Sequence, residues 1–97
     1  MQVWEIFQVI FFIIFNFIEN EFSIYVGDLD SSVTEEKLKE FFEEKYKSVV
    51  STKIVVDNIT KLGKGYGFVK FSNQAESIKA INEMNGKYLN GKAIKTK

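Results

Sequence analysis

The sequence predicts an α+β fold in which two helices back one four-stranded antiparallel sheet. Two observations predict it. Stretches whose apolar residues recur at every second position alternate with stretches at helical spacing, and turns containing glycine and asparagine separate them. The order of these stretches over residues 22–97 is β-α-β-β-α-β, a split βαβ layout, and a chain of 97 residues is long enough for one such domain.

The first predicted strand covers residues 22–26, where side chains alternate between two faces. One face carries an apolar set, Phe22, Ile24 and Val26. The other face carries Ser23 and Tyr25. Turn-forming residues at positions 27–32 end the strand.

The first predicted helix begins after Thr34, because threonine is a favoured N-cap residue. Val33, just before it, is placed to pack on Leu38 and so to fix the entry of the chain. Leu38, Phe41 and Phe42 then form an apolar stripe at helical spacing, which we expect to face the core.

Three further strands are predicted. Residues 52–56 are β-branched apart from one lysine, and residues 65–71 alternate strictly, with a polar loop between these two stretches. The pair Asn90-Gly91 predicts a tight turn, and residues 92–97 are expected to form the last strand.

The second predicted helix follows the third strand. Asn73 and Glu76 have the spacing of a capping box at its start, and Asn85-Gly86 ends it. Its predicted apolar face consists of Ala75, Ile78, Ile81 and Met84.

The composition excludes several classes of function. Histidine and cysteine are absent, which removes disulfides, zinc fingers, thiolate nucleophiles and imidazole acid–base catalysis. An enzyme would need a carboxylate or lysine mechanism, and the pairs Glu43-Glu44 and Asp28/Asp30 are more typical of a solvated helix face and a turn. We therefore expect no enzymatic activity, no metal site and no cofactor.

Charge is distributed unevenly, although the formal net charge is zero. Residues 1–21 and residues 22–52 each carry −3, whereas residues 53–97 carry +6. A polyanion responds to such local charge within roughly 8–10 Å. All 13 basic residues are lysine, so bidentate readout of guanine by arginine is excluded.

Residues 1–21 form an apolar extension of unknown role, almost wholly apolar between positions 3 and 18. A membrane helix needs about 20 apolar residues, whereas this run is interrupted by Glu5, Gln8 and Asn16. A secretory signal needs a basic start, and Glu5 stands in that position. We favour a non-membrane extension that packs on the domain or is a doubtful start to the chain, and both membrane interpretations stay open.

Two motifs carry a resemblance to a known family. Residues 64–71, Lys-Gly-Tyr-Gly-Phe-Val-Lys-Phe, match all eight positions of the longer signature of the RNA recognition motif. Residues 24–29 match the shorter companion signature except at Asp28, where the family usually has asparagine. Both motifs lie on predicted strands in the family's order, so residues 22–97 resemble an RNA recognition motif with its ferredoxin-like sandwich.

Alternation along the third strand supports RNA binding independently of the resemblance. Alternation turns Val69 and Phe71 toward the helices. The other residues of the strand point outward, on the same face as Tyr25 of the first strand: Lys64, Tyr66, Phe68 and Lys70. Exposed aromatic rings are unfavourable in water, whereas a base stacked on such a ring contributes roughly 1–3 kcal/mol. A plain core role for the rings is the alternative, but Val69 and Phe71 already fill that role.

The resemblance implies a role for each residue. Tyr25 stacks one base and Phe68 the next, Tyr66 packs against the sugars between them, and Lys64 neutralises the intervening phosphate. Lys70 is expected to reach RNA beside them.

Glycines and edge lysines complete the predicted site. Gly65 and Gly67 are expected to let the backbone and its ligand approach closely. Alternation suggests that the lysines of the edge strands face the RNA: Lys53, Lys95 and Lys97. An equal alternative is that these lysines only keep the sheet edges solvated.

Residues 26–29 and 45–49 are similar to the second recognition motif of the oligouridylate-binding and tRNA selenocysteine-associated protein group. This similarity implies single-stranded, U- or A/U-rich RNA as the partner, and a role in pre-mRNA splicing or mRNA processing in the nucleus or cytoplasm. We also expect a monomer. The alternatives are a protein-interaction module whose sheet face is covered by residues 3–18, which would inhibit RNA binding, and a membrane-tethered RNA binder.

Overall fold

The structure, a computed structural model, describes residues 3–19 and 22–97. Its helices are α1 (Val3–Glu19), α2 (Glu35–Glu43) and α3 (Gln74–Met84). Its strands are β1 (Phe22–Gly27), β2 (Val49–Val56), β3 (Gly63–Phe71), β4 (Tyr88–Leu89), β5 (Lys92–Ala93) and β6 (Lys95–Thr96). Residues 20 and 21, where the sequence places the domain boundary, lie outside the described residues.

One antiparallel sheet organises the domain, with the strand order β2-β3-β1-β6. Helices α2 and α3 pack on one of its faces, which confirms the predicted α+β fold. Strand β2 begins at Val49 instead of Thr52. A register shift between Val49 and Ser51 lets the pairing with β3 extend to residues before the predicted start. Strand β3 also begins earlier, at Gly63.

The predicted last strand over residues 92–97 is wrong as a single element. Its first part pairs with β4 in a separate hairpin, closed at Asn90-Gly91 with positive φ at both residues, and its second part pairs with β1. Ile94 lies between the two parts and is buried in the core, and its N–H donates to the Lys87 carbonyl at 2.9 Å. The chain therefore leaves the hairpin at Ile94 and joins the main sheet.

Side-chain caps fix the starts of α2 and α3. Thr34 Oγ1 accepts a hydrogen bond from the Lys37 N–H at 3.1 Å, and Asn73 Oδ1 accepts from the Glu76 N–H at 2.9 Å. The reciprocal half of the predicted capping box is wrong. Glu76 Oε1 accepts from Ser48, at 3.0 Å from the backbone N–H and 2.6 Å from Oγ, because this carboxylate reaches across to the chain entering β2.

The core fills the space between the sheet and its two helices. Ile24 of β1 lies opposite Val69 of β3, and both are buried. The fully buried rings of Phe42 and Phe71 meet edge to face with their centroids 6.4 Å apart. These are core residues that alternation and helical spacing predict.

Helix α3 turns a different face to the core than its apolar residues predict. Ala75 and Ile78 are exposed, whereas Ser77, Ala80 and Met84 are buried. Ser77 can be buried because its Oγ donates to the Gln74 carbonyl within the same helix at 2.7 Å. The satisfied hydroxyl lets a serine occupy a core position that hydrophobicity alone assigns elsewhere.

The apolar run at the N-terminus forms α1, which contacts β1 and reaches Lys64 of β3 through Glu5. Within residues 3–19 and 22–97, no helix is long and apolar enough to span a bilayer.

Candidate nucleic-acid interface

Three aromatic rings stand together on the sheet face opposite α2 and α3. The ring centroids of Tyr25 and Tyr66 are 5.8 Å apart with an angle of 29° between the planes. Phe68 meets Tyr25 edge-on at 6.0 Å and Tyr66 at 6.5 Å. Because these spacings are those of contacting aromatic pairs, the three rings form one continuous patch. We call Tyr25, Tyr66 and Phe68 the aromatic patch.

The register of β1 on β3 places the aromatic patch. Tyr25 lies opposite Phe68, and Tyr66 lies opposite Gly27. A Cβ at Gly27 would come within 2.6 Å of Tyr25 Oη and 2.8 Å of its Cε1, closer than real Cβ atoms approach. Gly27 therefore gives the Tyr25 ring room to lie over the strand.

Lysines flank the aromatic patch on both sides. Lys53 of β2 lies opposite Phe68 and is exposed. On the other side, Lys97 Nζ is 5.9 Å from the centroid of the Tyr25 ring, and the two residues exchange backbone hydrogen bonds of 2.9 and 3.0 Å. Cationic groups over a ring face are attracted to it, so Lys97 adds positive charge directly above the patch.

Side chains of β6 alternate between the two faces of the sheet, as those of β1 do. Thr96 turns its hydroxyl toward the Ile81 carbonyl of α3, so its neighbours Lys95 and Lys97 project on the aromatic side. Lys95 Nζ is 3.4 Å from Asp28 Oδ2. Asp28 has φ of 55°, a left-handed conformation that aspartate and asparagine adopt more readily than most residues.

Lys64 is held by two carboxylates. Its Nζ is 2.8 Å from Glu5 Oε1 of α1 and 3.2 Å from Asp57 Oδ2. The hydrogen bonds that Lys64 donates, first to Glu5 and then to Asp57, raise the pKa of Lys64. The pKa of Asp57 is lowered to about 2, chiefly because its side chain accepts backbone hydrogen bonds from Thr60 and Ile59.

Part of the predicted solvent-facing surface is covered. Phe68 retains 9 % of its exposure and Lys70 only 3 %, although alternation puts both on the face away from the core. Val55 of β2, on the same face as Lys53, retains 1 %. The prediction that Phe68 and Lys70 point into solvent is therefore wrong. We attribute their burial to α1, because Glu5 of that helix pairs with Lys64 of the same strand.

Each of the two motif glycines is required by the backbone of the protein itself. A Cβ at Gly67 would collide with the Lys53 carbonyl oxygen and lie 3.1 Å from Ile54 Cα, so this glycine makes room for strand β2. Gly65 has φ of 91°, which an L side chain rarely adopts. The protein's own backbone accounts for both glycines, and their predicted role in the approach of a ligand stays a prediction.

Several residues of this surface are not found by sequence reasoning. The carboxylates of Asp57 and Glu5 both lie beside Lys64, and no sequence periodicity predicts this contact. The burial of Val55 is not predictable either, because Val55 stands in a run of β-branched residues. Among the described residues, no three histidine, cysteine, aspartate or glutamate side chains cluster closely enough to hold a metal ion.

Comparison with known proteins agrees with this geometry. A family model described as "RNA recognition motif" matches residues 24–95. The chain belongs to the RNA recognition motif family. This RNA recognition motif is 53 % identical over 76 residues to Protein NAM8 of Saccharomyces cerevisiae, and 45 % identical over 76 residues to the polyadenylate-binding protein RBP47 of Nicotiana plumbaginifolia.

These alignments cover 78 % of the chain but only 14 % and 18 % of the two relatives, so the chain spans less than a fifth of their length. Among solved structures, the second RRM domain of the yeast poly(U)-binding protein Pub1 is 33 % identical, with a TM-score of 0.71. That alignment covers 78 % of this chain and 90 % of the Pub1 domain.

Proposed function

We propose that this RNA recognition motif binds single-stranded RNA on the sheet face that carries the aromatic patch. The observation that supports the proposal most strongly is the contact of three rings at 5.8–6.5 Å on a face outside the hydrophobic core. Bases of single-stranded RNA are unstacked and can lie on such rings, whereas bases within a duplex cannot.

Each ring has a distinct task in this proposal. Tyr25 stacks one base and Phe68 the next, because they lie opposite each other on neighbouring strands. Tyr66, in contact with both, packs against the sugars between those bases. Stacking a base on an aromatic side chain contributes roughly 1–3 kcal/mol and tolerates any base.

The lysines bind phosphates around the rings. Lys53, Lys95 and Lys97 are exposed and stand at the two edges of the patch. Lys64 and Lys70 lie between those edges on β3. Each phosphate that a lysine neutralises releases counterions, so three to five contacts give a slope of log affinity on log salt of about −2 to −3.5.

U- or A/U-rich RNA is the proposed target class. The relatives are described as poly(U)-binding and polyadenylate-binding proteins, and this chain has no arginine for bidentate readout of guanine. A role in pre-mRNA splicing or mRNA processing, in the nucleus or cytoplasm, follows from the same resemblance and stays a prediction, as does a monomeric state.

The test is a titration of the full chain into labelled oligo(U), oligo(A) and mixed-sequence RNA. The test variant is Tyr25→Leu/Phe68→Leu, which keeps apolar volume but removes two stacking rings. We expect it to weaken binding by about 30-fold or more, since two lost stacks are worth at least about 2 kcal/mol.

The matched control is Tyr88→Leu. Tyr88 is an exposed tyrosine on β4, outside the main sheet, so this substitution has the same chemistry at a different surface. Affinity of the control is expected to stay within about twofold of the wild type. Equal loss of affinity in both variants would contradict the proposal.

A further inference from the structure

Helix α1 reaches the RNA face through Glu5. The Glu5 side chain is one of the few charged groups of the described residues that is buried, with 8 % of the residue exposed, and its Oε1 lies 2.8 Å from Lys64 Nζ. A buried carboxylate is unfavourable unless it is paired. The contact with Lys64 therefore fixes this end of α1 on the sheet.

The site that Glu5 occupies is the site proposed for a phosphate. Lys64 is the lysine expected to neutralise the phosphate between the two stacked bases, and a carboxylate and a phosphate both present anionic oxygens to an ammonium group. Glu5 also acts on the neighbouring ring: burial raises the pKa of the Tyr66 phenol, and the negative charge of Glu5 raises it further.

Covering of this face extends beyond Lys64. Phe68, Lys70 and Val55 are buried on the side of the sheet away from α2 and α3, and Val55 and Phe68 do not belong to the main core cluster. Bases cannot stack on a ring that is nine-tenths buried. The described conformation and an RNA complex through Phe68 therefore exclude each other.

We propose that α1 is an autoinhibitory segment whose Glu5 takes the place of an RNA phosphate at Lys64, so that RNA must displace α1 to bind. This inference rests on the proposed RNA-binding function. It deepens that function by assigning a competitor for the same face, carried on the same chain.

The packing of α1 is suited to displacement. Among the described side chains of α1, the helix turns Glu5 and Gln8 inward and exposes a set of large apolar residues: Ile6, Phe7, Ile10, Phe11, Ile13 and Ile14. Two polar atoms of the described residues, Gln8 Oε1 and Tyr66 Oη, are buried without a hydrogen-bond partner. Unsatisfied buried polar groups destabilise the state that contains them, so these two atoms oppose the docking of α1 that the Glu5–Lys64 pair favours.

The experiment compares the full chain with its Glu5→Gln variant in the same oligo(U) titration. Gln at position 5 keeps the shape of the side chain but removes its charge, and it weakens the link between α1 and Lys64. The fraction of open chains limits apparent affinity. We expect Glu5→Gln to bind RNA about tenfold more tightly, the value for losing one charge-assisted hydrogen bond with a partly exposed partner.

Loss of a negative charge could strengthen RNA binding at any position, so a charge-matched control is needed. Glu43→Gln removes the same charge from an exposed position on α2, on the far side of the sheet. We expect it to change affinity by less than about twofold. Hydrogen exchange of amides 3–19 in the full chain gives a second readout, and their protection is expected to fall when RNA is added.

The outcomes separate this inference from the proposed function. Tighter binding by Glu5→Gln alone, with lost protection in α1, supports autoinhibition. If Glu5→Gln binds like the wild type or like Glu43→Gln, or if α1 keeps its protection in the RNA complex, autoinhibition is overturned while RNA binding stands. If neither the wild type nor Glu5→Gln binds any RNA, both proposals are overturned.

Discussion

Gly67 offers a sharp test of how the sheet that carries the proposed RNA face is held in place. A Cβ at this position would collide with the Lys53 carbonyl oxygen and lie 3.1 Å from Ile54 Cα and 3.2 Å from the Lys53 carbonyl carbon. All three atoms belong to the backbone of β2, which cannot move aside as a flexible side chain can. Gly67→Ala therefore forces β2 and β3 apart at the centre of the sheet.

The expected loss follows from the cost of overpacking. Forcing a methyl group into a closely packed site costs about 1–3 kcal/mol, and here the Ile54–Gly67 backbone pairing is weakened as well. We expect Gly67→Ala to lower the free energy of unfolding by about 2–3 kcal/mol, which corresponds to a Tm decrease of roughly 10–20 °C for a domain of this size. Urea denaturation followed by circular dichroism measures it.

Gly63→Ala is the matched control on the same strand. A Cβ at Gly63 would meet Ile54 Cγ2 at 3.8 Å and the Ser31 carbonyl oxygen at 4.0 Å, both ordinary contacts. Because alanine restricts the unfolded chain, this variant is expected to be neutral or more stable by up to about 1 kcal/mol. If Gly67→Ala is as stable as Gly63→Ala and only RNA binding suffers, the glycine serves the ligand and our account of the strand contact is refuted.

Two further predictions concern carboxylates. Asp28→Asn keeps a side chain that tolerates a φ of 55° and removes the negative charge 3.4 Å from Lys95 Nζ. RNA affinity, measured by filter binding at low salt, should therefore rise by a few-fold, with Tm unchanged. A fall in affinity would show that the Asp28–Lys95 pair positions the lysine. Hydrogen bonds from Ser48 lower the pKa of Glu76 below its ordinary 4.5, so its stabilising effect is present above that pH and is lost as pH falls through the lowered pKa. Glu76→Gln can still accept those hydrogen bonds, so its urea midpoint should decrease less than that of the wild type on acidification below about pH 4.5, and parallel decreases would refute this role.

Much of the fold was predictable because two strands alternate cleanly. In β1 and β3 one apolar set fills the core, and this alone places Tyr25, Tyr66 and Phe68 on the opposite face. Thr34 and Asn73 cap their helices as their residue types predict. Local chemistry decides these features, so the sequence is sufficient for them.

Features that depend on distant partners were not predictable. Glu76 has the spacing of a capping box, but it bonds Ser48, 28 positions away. Ser77 is buried in place of Ile78 because its hydroxyl finds a partner within α3. The division of residues 92–97 depends on Ile94 entering the core between two pairings.

The covering of the proposed RNA face also depends on distant partners. Residues 3–18 are apolar on nearly every side of a helix, so no periodicity indicates which side packs on the sheet. Only the structure shows that Glu5, which interrupts the apolar run, meets Lys64 at 2.8 Å. The sequence leaves a covering segment as one alternative, and the Glu5–Lys64 ion pair is the contact on which the proposed covering rests.

The most direct test of the central claim is an NMR titration of the full chain with single-stranded oligo(U), following aromatic ring resonances. We expect large shifts for Tyr25, Tyr66 and Phe68, with small shifts for Phe41 and Tyr88, which lie outside the proposed RNA face. Shifts concentrated on Phe41 and Tyr88, with the aromatic patch unchanged at saturation, would contradict the claim that this sheet face binds RNA.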